Sequence, residues 1–237
     1  MEAQLLSTNH RTGDLSRQYD RFPDSYAQDA QDQNQDSSRL FHSLVPGDLT
    51  GLTVLDIGCG AGDDLHALGA RGATLFGVEP SAQLCELARR CNPGATIVQA
   101  SGESLPFDDQ VFDVIVSKWA LQTSPDLAAI LAEIERTMVP GGSLVVLTKH
   151  PLRQYLEKID TFGHGVDYFV QQVVASRIFD GQITLYEPTH TLQAYLSPNF
   201  LRVFDLRSFH EGSEFSAAQQ LNGDTYPTYF ALHALKR

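Results

Sequence analysis

From Thr53 to Thr148, short apolar runs alternate with amphipathic stretches. Val54-Leu55-Asp56-Ile57 reads as a strand, Gly58 to Gly62 as a turn, and Asp63 to Leu68 as the start of a helix. Ala73 to Val78 predicts a second strand. Ser81 opens a helix through Arg90, which Asn92-Pro93-Gly94 stops. Thr96-Ile97-Val98 and Val111 to Val116 are the third and fourth strands. Leu127, Ile130, Leu131 and Ile134 recur at helical spacing in a helix from Pro125 to Thr137. Pro140-Gly141-Gly142 predicts a turn into a fifth strand, Ser143 to Thr148. Strands alternating with helices predict βαβ units, and so an α/β fold with a doubly wound, mainly parallel sheet covered on both faces. The strands are almost continuously apolar, as buried parallel strands are.

Outside this region the pattern is weaker. Residues 1–44 are polar and acidic, but Leu40, Phe41, Leu44 and Val45 predict the end of a helix from about Ser25, broken by Pro46-Gly47. After His150 the chain predicts a helix from Pro151 to Ile159, a loop at Gly163 and Gly165, and a second helical stretch from Tyr168 to Arg177. A short helix at Thr191 to Tyr195 and two terminal strands, Phe200 to Phe209 and Tyr226 to Leu235, complete seven strands. The expectation is one domain over 1–237. Residues 1–44 form a helical cap, 45–150 the ligand-binding core, 151–190 a substrate-side insertion and 191–237 the C-terminal strands.

The formal net charge of −12 tells against nucleic acid and anionic membrane surfaces as partners, since both call for Lys and Arg. No apolar run approaches the roughly 20 residues of a spanning helix. The N-terminus lacks the charged-then-apolar order of a secretory leader. Three cysteines without a CxxC pair fit a reducing compartment, so the chain is expected in the cytoplasm. Eight histidines contain neither HxxxH nor HExxH, and no metal site is predicted.

Chemistry concentrates where the first strand runs into Gly58-Cys59-Gly60-Ala61-Gly62. Glycines there permit positive φ and let a ligand lie against the backbone at a helix N-terminus. In an open parallel sheet this carboxyl edge is where ligands bind. A dinucleotide fingerprint, G-x-G-x-x-G, would need a third glycine at position 63, which is Asp63. Glu79 ends the second strand, placed to accept two hydrogen bonds from a ribose diol.

With these residues the chain resembles the class I S-adenosylmethionine-dependent methyltransferases. Five segments carry the resemblance, in order: Asp56 to Gly62, Gly77-Val78-Glu79-Pro80-Ser81, Gly102 to Phe107, Phe112 to Ser117, and Pro140-Gly141-Gly142. It is close over about 50–150 and looser to the C-terminus, where Tyr226-Pro227-Thr228-Tyr229-Phe230 is similar to the family's last strand. The resemblance implies S-adenosylmethionine as cofactor and methyl transfer to a small-molecule O, N, C or S nucleophile by in-line displacement. It implies that the Gly58, Cys59, Gly60 and Gly62 backbone cradles the methionine end, with Asp56 beneath the turn. Glu79 and Pro80 would hold the ribose, and Gly102 and Glu103 would flank the adenine. Ser117 and Lys118 would offer backbone carbonyls to the cofactor's amino group. Ser101 stands where many relatives carry Asp for the adenine amine, a departure that puts that contact in question.

On the acceptor side, His150 after the fifth strand is a candidate base or substrate contact, with a plain loop histidine as the alternative. Trp119 would wall the substrate pocket or serve as an ordinary buried aromatic. Tyr19 and Tyr26 resemble the N-terminal tyrosine pair of relatives in which one ring closes over the methyl group. Asp63 and Asp64 suit a helix N-terminus by charge. A protein acceptor and an NAD(P)-dependent oxidoreductase are the competing readings. The oligomeric state is left open.

Overall fold

The computed structural model describes residues 15, 18–21, 35–178, 183–214 and 225–237. Seven strands form one sheet in the order β3-β2-β1-β4-β5-β9-β8. They are β1 (Thr53–Ile57), β2 (Thr74–Glu79), β3 (Thr96–Gln99), β4 (Phe112–Lys118), β5 (Met138–Lys149), β8 (Phe204–Gly212) and β9 (Tyr229–Lys236). The first five are mutually parallel, and β9 then runs antiparallel between β5 and β8. The doubly wound, mainly parallel sheet read from the sequence is therefore observed.

Helices α1 (Gln35–Leu44), α2 (Asp63–Gly69), α3 (Ala82–Cys91) and α4 (Leu127–Thr137) cover the sheet. One apolar layer gathers Phe41, Val54, Leu65, Cys85, Val116 and Leu147; the other gathers Leu55, Phe112, Ile130, Ile134, Tyr195 and Phe230. Capping residues start the helices where the sequence suggests. Ser81 Oγ accepts the Leu84 N–H at 3.2 Å, and Asp126 Oδ1 accepts that of Ala129 at 3.0 Å, each worth about 1 kcal/mol. The predicted N-terminal helix is present from Gln35; its stretch from Ser25 to residue 34, and Tyr26 with it, lies outside the described residues.

Three expectations are corrected. Pro140-Gly141-Gly142 is not a turn ahead of β5 but a bulge inside it. Phe112 faces Met138, whereas Val114 already faces Ser143, so the extra residues loop out of register. The stretch from Tyr168 to Arg177 is not helical: β6 (Val173–Ile178) pairs antiparallel with β7 (Ile183–Pro188) in a separate hairpin. Val174 and Ser176 are buried and face Glu187 and Leu185, a period of two. The polar Ser176 hid that alternation; it is buried because it accepts from the ammonium of Lys149. Third, Phe200 to Val203 belongs to a helix, α7 (Pro198–Val203), not to the strand. Ser197 caps it, and Pro198 occupies its first turn, where a missing N–H costs nothing.

The segment after β5 folds back over the sheet's carboxyl edge. Helix α5 (Pro151–Phe162) packs on the hairpin, and α6 (Leu192–Tyr195) follows. Gln18, in a 3-10 turn spanning Gln18–Arg21, exchanges two hydrogen bonds with the Tyr186 backbone of β7 at 2.8 and 2.9 Å. In the same turn, Asp20 accepts a hydrogen bond from the Ser81 hydroxyl. The N-terminal part thus ties the hairpin to the carboxyl end of β2.

Candidate active site

Strand order reverses between β1 and β4, and a cavity of about 390 Å³ opens at their carboxyl ends. Its wall includes Gly58, Gly60, Glu79, Pro80, Trp119 and Leu121. On another side stand Ala100, Ser101, Gly102, Glu103, Ser124 and Ile130.

The glycine turn is shaped by contacts that admit no side chain. Gly58 has φ +76°, and a Cβ there would lie 2.2 Å from the Cβ of Ala120. Gly62 has φ +91°, and a Cβ would lie 2.4 Å from Asn92 Nδ2 and 3.2 Å from Ala88 Cα. Asn92 in turn donates to the Gly62 carbonyl at 2.9 Å. The sequence marked Asn92 only as a helix stop, so its hold on the turn is a function sequence reasoning missed. Gly58 and Cys59 both donate their N–H to the Val78 carbonyl, drawing the turn across the end of β2.

Glu79 faces this turn. Its carboxylate accepts from Gly60 N–H at 3.2 Å and Ser81 N–H at 2.9 Å. Burial pushes its carboxyl up to about 7, against the pull of those two amides. Asp56 lies deeper, 1% exposed, and neither carboxylate oxygen meets a donor among the described residues. Burial drives its carboxyl well above the usual carboxylate range, with Asp64 and Glu79 adding to the effect and Lys118 opposing it. A buried carboxylate without a partner is costly unless a cation or donor is brought to it.

The candidates separate into those that line the cavity and those that shape it. Gly58, Gly60, Glu79, Pro80, Ser101, Gly102, Glu103 and Trp119 line it. Cys59, Gly62, Asp56, Ser117 and Lys118 do not. The Cys59 thiol is buried, and burial raises its pKa well above the usual thiol value, so its backbone carries its role. Ser117 donates to the Ile57 carbonyl at 2.8 Å and locks β4 to the end of β1. Lys118 sends its ammonium to Asp64 at 2.8 Å and over the ring of Phe41. Burial opposes the charge on Asp64, but His42 and Lys118 outweigh it and hold the carboxyl below the usual range. Asp64 is therefore more than a helix-end charge: it anchors α1 and β4 to the turn.

Trp119 adopts φ +55°, an unusual backbone for a bulky residue. Its N–H donates to Leu147 O at 2.8 Å, and its carbonyl accepts from Gln122 Nε2 at 2.7 Å. Fixed at both ends, the strained residue lies in the cavity wall, with its ring edge-on to Tyr229. Tyr19 falls in the 3-10 turn, and its side chain lies outside the described residues.

His150 is not at the cavity. It caps α5, where its Nδ1 accepts the Leu152 N–H at 3.0 Å, and its Nε2 bonds Glu211 at 2.8 Å. Burial lowers its pKa although Glu211 pulls the other way. With both ring nitrogens engaged, it serves as a helix cap and a tie to β8. The H-P pair after a strand was the signal: a capping residue followed by proline at the first helical position.

These residues fit an adenosyl ligand with a cationic sulfur. A side-chain-free backbone cradle, a carboxylate aimed at it and an unpartnered carboxylate beneath it supply what a zwitterionic, diol-bearing ligand needs. Among the described residues no group of three His, Cys, Asp or Glu could hold a metal, and no helix is long and apolar enough to cross a membrane.

Residues 55–146 match a family model described as a methyltransferase domain. The chain is 32% identical over 146 residues to a demethylmenaquinone methyltransferase of Lactococcus lactis, covering 57% of this chain and 58% of that relative, less than two thirds of its length. It is 29% identical over 202 residues to phthiotriol/phenolphthiotriol dimycocerosates methyltransferase 1 of Mycobacterium ulcerans, covering 77% and 72%. A crystal structure of an S-adenosylmethionine-dependent methyltransferase from Mesorhizobium loti superposes with a TM-score of 0.64 at 20% identity, covering 84% of this chain and 96% of that one. Motif, fold and relatives point the same way: residues 55–146 match a methyltransferase domain, and the fold is the one seen in S-adenosylmethionine-dependent methyltransferases.

Proposed function

We propose that this chain transfers a methyl group from S-adenosylmethionine to an apolar small molecule. The observation that carries the reading is the glycine turn hydrogen-bonded to Glu79 in the cavity wall, with Gly60 and Ser81 holding the carboxylate in place. When bound, the cofactor supplies an electrophilic methyl on a sulfonium, so the chain needs no covalent nucleophile of its own.

The work left to the protein is binding, orientation and exclusion of water. The Gly58 to Gly62 backbone would receive the amino-acid end. Glu79 would exchange the Gly60 amide for ribose hydroxyls. Pro80, Leu84, Ala100 and Ile130 offer apolar surface for the purine faces. Trp119, Ala120 and Leu121 form an apolar wall that would keep water from the reacting carbon and guide an apolar acceptor in line with it.

Two observations support an apolar acceptor. The cavity wall at Trp119, Leu121 and Pro125 carries no cation to recruit an anionic acceptor. The relatives are named for demethylmenaquinone and for phthiotriol/phenolphthiotriol dimycocerosates.

The test is a methyl-transfer screen with labelled cofactor against lipid-soluble and water-soluble metabolite fractions, read by mass. Label should enter the lipid-soluble fraction. Label found only in protein would replace this reading with a protein acceptor.

A further inference from the structure

Helix α5 turns its polar face inward and its apolar face outward. Arg153, Gln154, Glu157 and Lys158 are buried, whereas Leu152 and Phe162 are exposed and Tyr155, Leu156 and Ile159 are half-buried. A surface helix ordinarily points its apolar stripe at the core. The polar face here is taken up by the insertion: Arg153 pairs with Glu157 at 2.9 Å, and Gln154 donates to the Pro188 carbonyl at 3.0 Å and accepts the His190 N–H at 2.9 Å. The outward stripe at 152, 155, 156 and 159 follows from that, since these positions share the opposite face.

The next loop extends the stripe to the cavity. The Lys158 ammonium donates to the carbonyls of Asp167 and Val170, and Asp167 Oδ1 accepts the Phe169 N–H at 2.8 Å. Tyr168 packs edge-on against Tyr155, and its hydroxyl accepts the Leu192 N–H at 2.9 Å. Braced in this way, the loop leaves Phe169 76% and Val170 52% exposed. Gln171 then donates to the carbonyl of Pro125, a residue of the cavity wall, at 3.2 Å. The apolar tip therefore stands at the cavity rim.

Area and charge say what covers this face. Leu152, Phe162, Phe169 and Val170 together expose roughly 400 Å², about half of what each side of a stable dimer buries. The helix's cations, Arg153 and Lys158, are turned inward, and its outward Asp160 lies 3.8 Å from Arg177, so the face offers neither a basic nor an acidic patch. A protruding aromatic tip beside an uncharged apolar stripe suits a lipid interface. We propose that the outward face of α5 and the Phe169-Val170 tip dock on a zwitterionic lipid bilayer and hold the cavity rim against it, so that an apolar acceptor passes from lipid to cavity without crossing water. The proposal rests on reading the acceptor as apolar.

Flotation of the full chain with phosphatidylcholine vesicles tests this. The wild-type chain should float with the vesicles and continue to do so at high salt, because the attachment is apolar. Phe169→Ser should weaken vesicle binding by at least about tenfold, and Leu152→Ser, which removes a less exposed side chain, by about threefold. Phe169→Trp, which keeps an interfacial aromatic, should bind at least as well as the wild type. Affinity for S-adenosylhomocysteine should stay within about twofold in Phe169→Ser, since Phe169 is outside the cavity wall, and that constancy reports an intact fold. Absence of flotation, flotation that requires anionic lipid, or flotation unaltered in Phe169→Ser would overturn the docking face. So would a wild-type dimer in light scattering that Phe169→Ser splits, which would assign the face to a second copy of the chain. A chain that fails to float yet labels the lipid-soluble fraction overturns the docking face alone. One that floats as expected but labels only water-soluble acceptors supports the docking face and overturns the apolar-acceptor reading.

Discussion

Gly60 donates its backbone N–H to Glu79 across 3.2 Å, so the turn after β1 is tied to the tip of β2 by the same carboxylate that faces the cavity. A ribose diol would compete for that carboxylate, and it would bind the ionised form. Burial has raised the Glu79 carboxyl from 4.5 to about 7, so near neutral pH it is only partly ionised. Affinity for S-adenosylhomocysteine should therefore climb from pH 6 to pH 8, with a proton released on binding at the lower pH. Calorimetry in buffers of different ionisation enthalpy would measure the release. Glu79→Gln should bind more weakly and lose this pH dependence; a slope that persists in the variant would assign the titration elsewhere.

The same shift has a consequence for stability, with the sign set by which state holds more protons. Between pH 4.5 and about 7 the folded chain keeps Glu79 protonated while the unfolded chain does not. Its contribution to stability is therefore fully present below pH 4.5 and declines as pH rises through about 7. Glu79→Gln should remove this decline. Urea unfolding of both proteins at pH 5 and pH 8 would show it as a smaller difference between the two pH values in the variant.

Gly58 and Ala120 meet so closely that a methyl group on the glycine would lie 2.2 Å from the alanine Cβ. Gly58→Ala should cost about 1–3 kcal/mol through overpacking and a strained positive φ. It should also reduce S-adenosylhomocysteine binding by at least about tenfold, because the turn must shift. Adding Ala120→Gly removes the clash but not the φ strain, so the double variant should recover binding only in part. Full recovery would show that sterics alone dictate the glycine.

His150 and Glu211 join the start of α5 to β8 at 2.8 Å, while the other imidazole nitrogen caps the helix. Removing a cap costs about 1 kcal/mol, so His150→Ala should lower the melting temperature. The pH profile of methyl transfer should keep its shape, because neither nitrogen reaches the cavity. His150→Asn, which can cap, should restore part of the stability. Loss of an ionisation from the rate profile in His150→Ala would return the residue to the chemistry.

The core of the fold was legible because its signals are local. Glycines at 58, 60 and 62, an acid at 79 and uninterrupted apolar strands each follow from neighbouring residues. The insertion was not legible, because its determinants are distant in sequence. Ser176 reads as a polar position of a helical stretch until Lys149 is seen beside it, and His150 reads as a loop histidine or a candidate base until Glu211 arrives from β8. The cavity showed the same division. Glu79 could be placed from its strand, whereas the capture of Glu103 by Ser101 and Ser124 joins two loops on either side of β4.

Lys149 presents the sharpest test of how the insertion is held. Its ammonium is 4% exposed, bonds Glu187 and lies 3.3 Å from Glu157, while Arg153 bonds Glu157 at 2.9 Å. Burial alone would lower the Lys149 pKa, but the two carboxylates outweigh it and raise it, keeping the charge. A buried pair gains little over apolar packing, yet losing one partner strands the other. Lys149→Met leaves Glu157 and Glu187 with Arg153 as the remaining cation of the group, and should destabilise the chain by about 3–5 kcal/mol. Adding Glu187→Leu removes one stranded carboxylate and should recover a good part of that loss. The cost should fall on the hairpin first, so hydrogen exchange in β6 and β7 should quicken in the single variant while β1 and β4 stay protected. Uniform loss of protection across the sheet would mean that the charged group supports the whole fold, not the insertion alone.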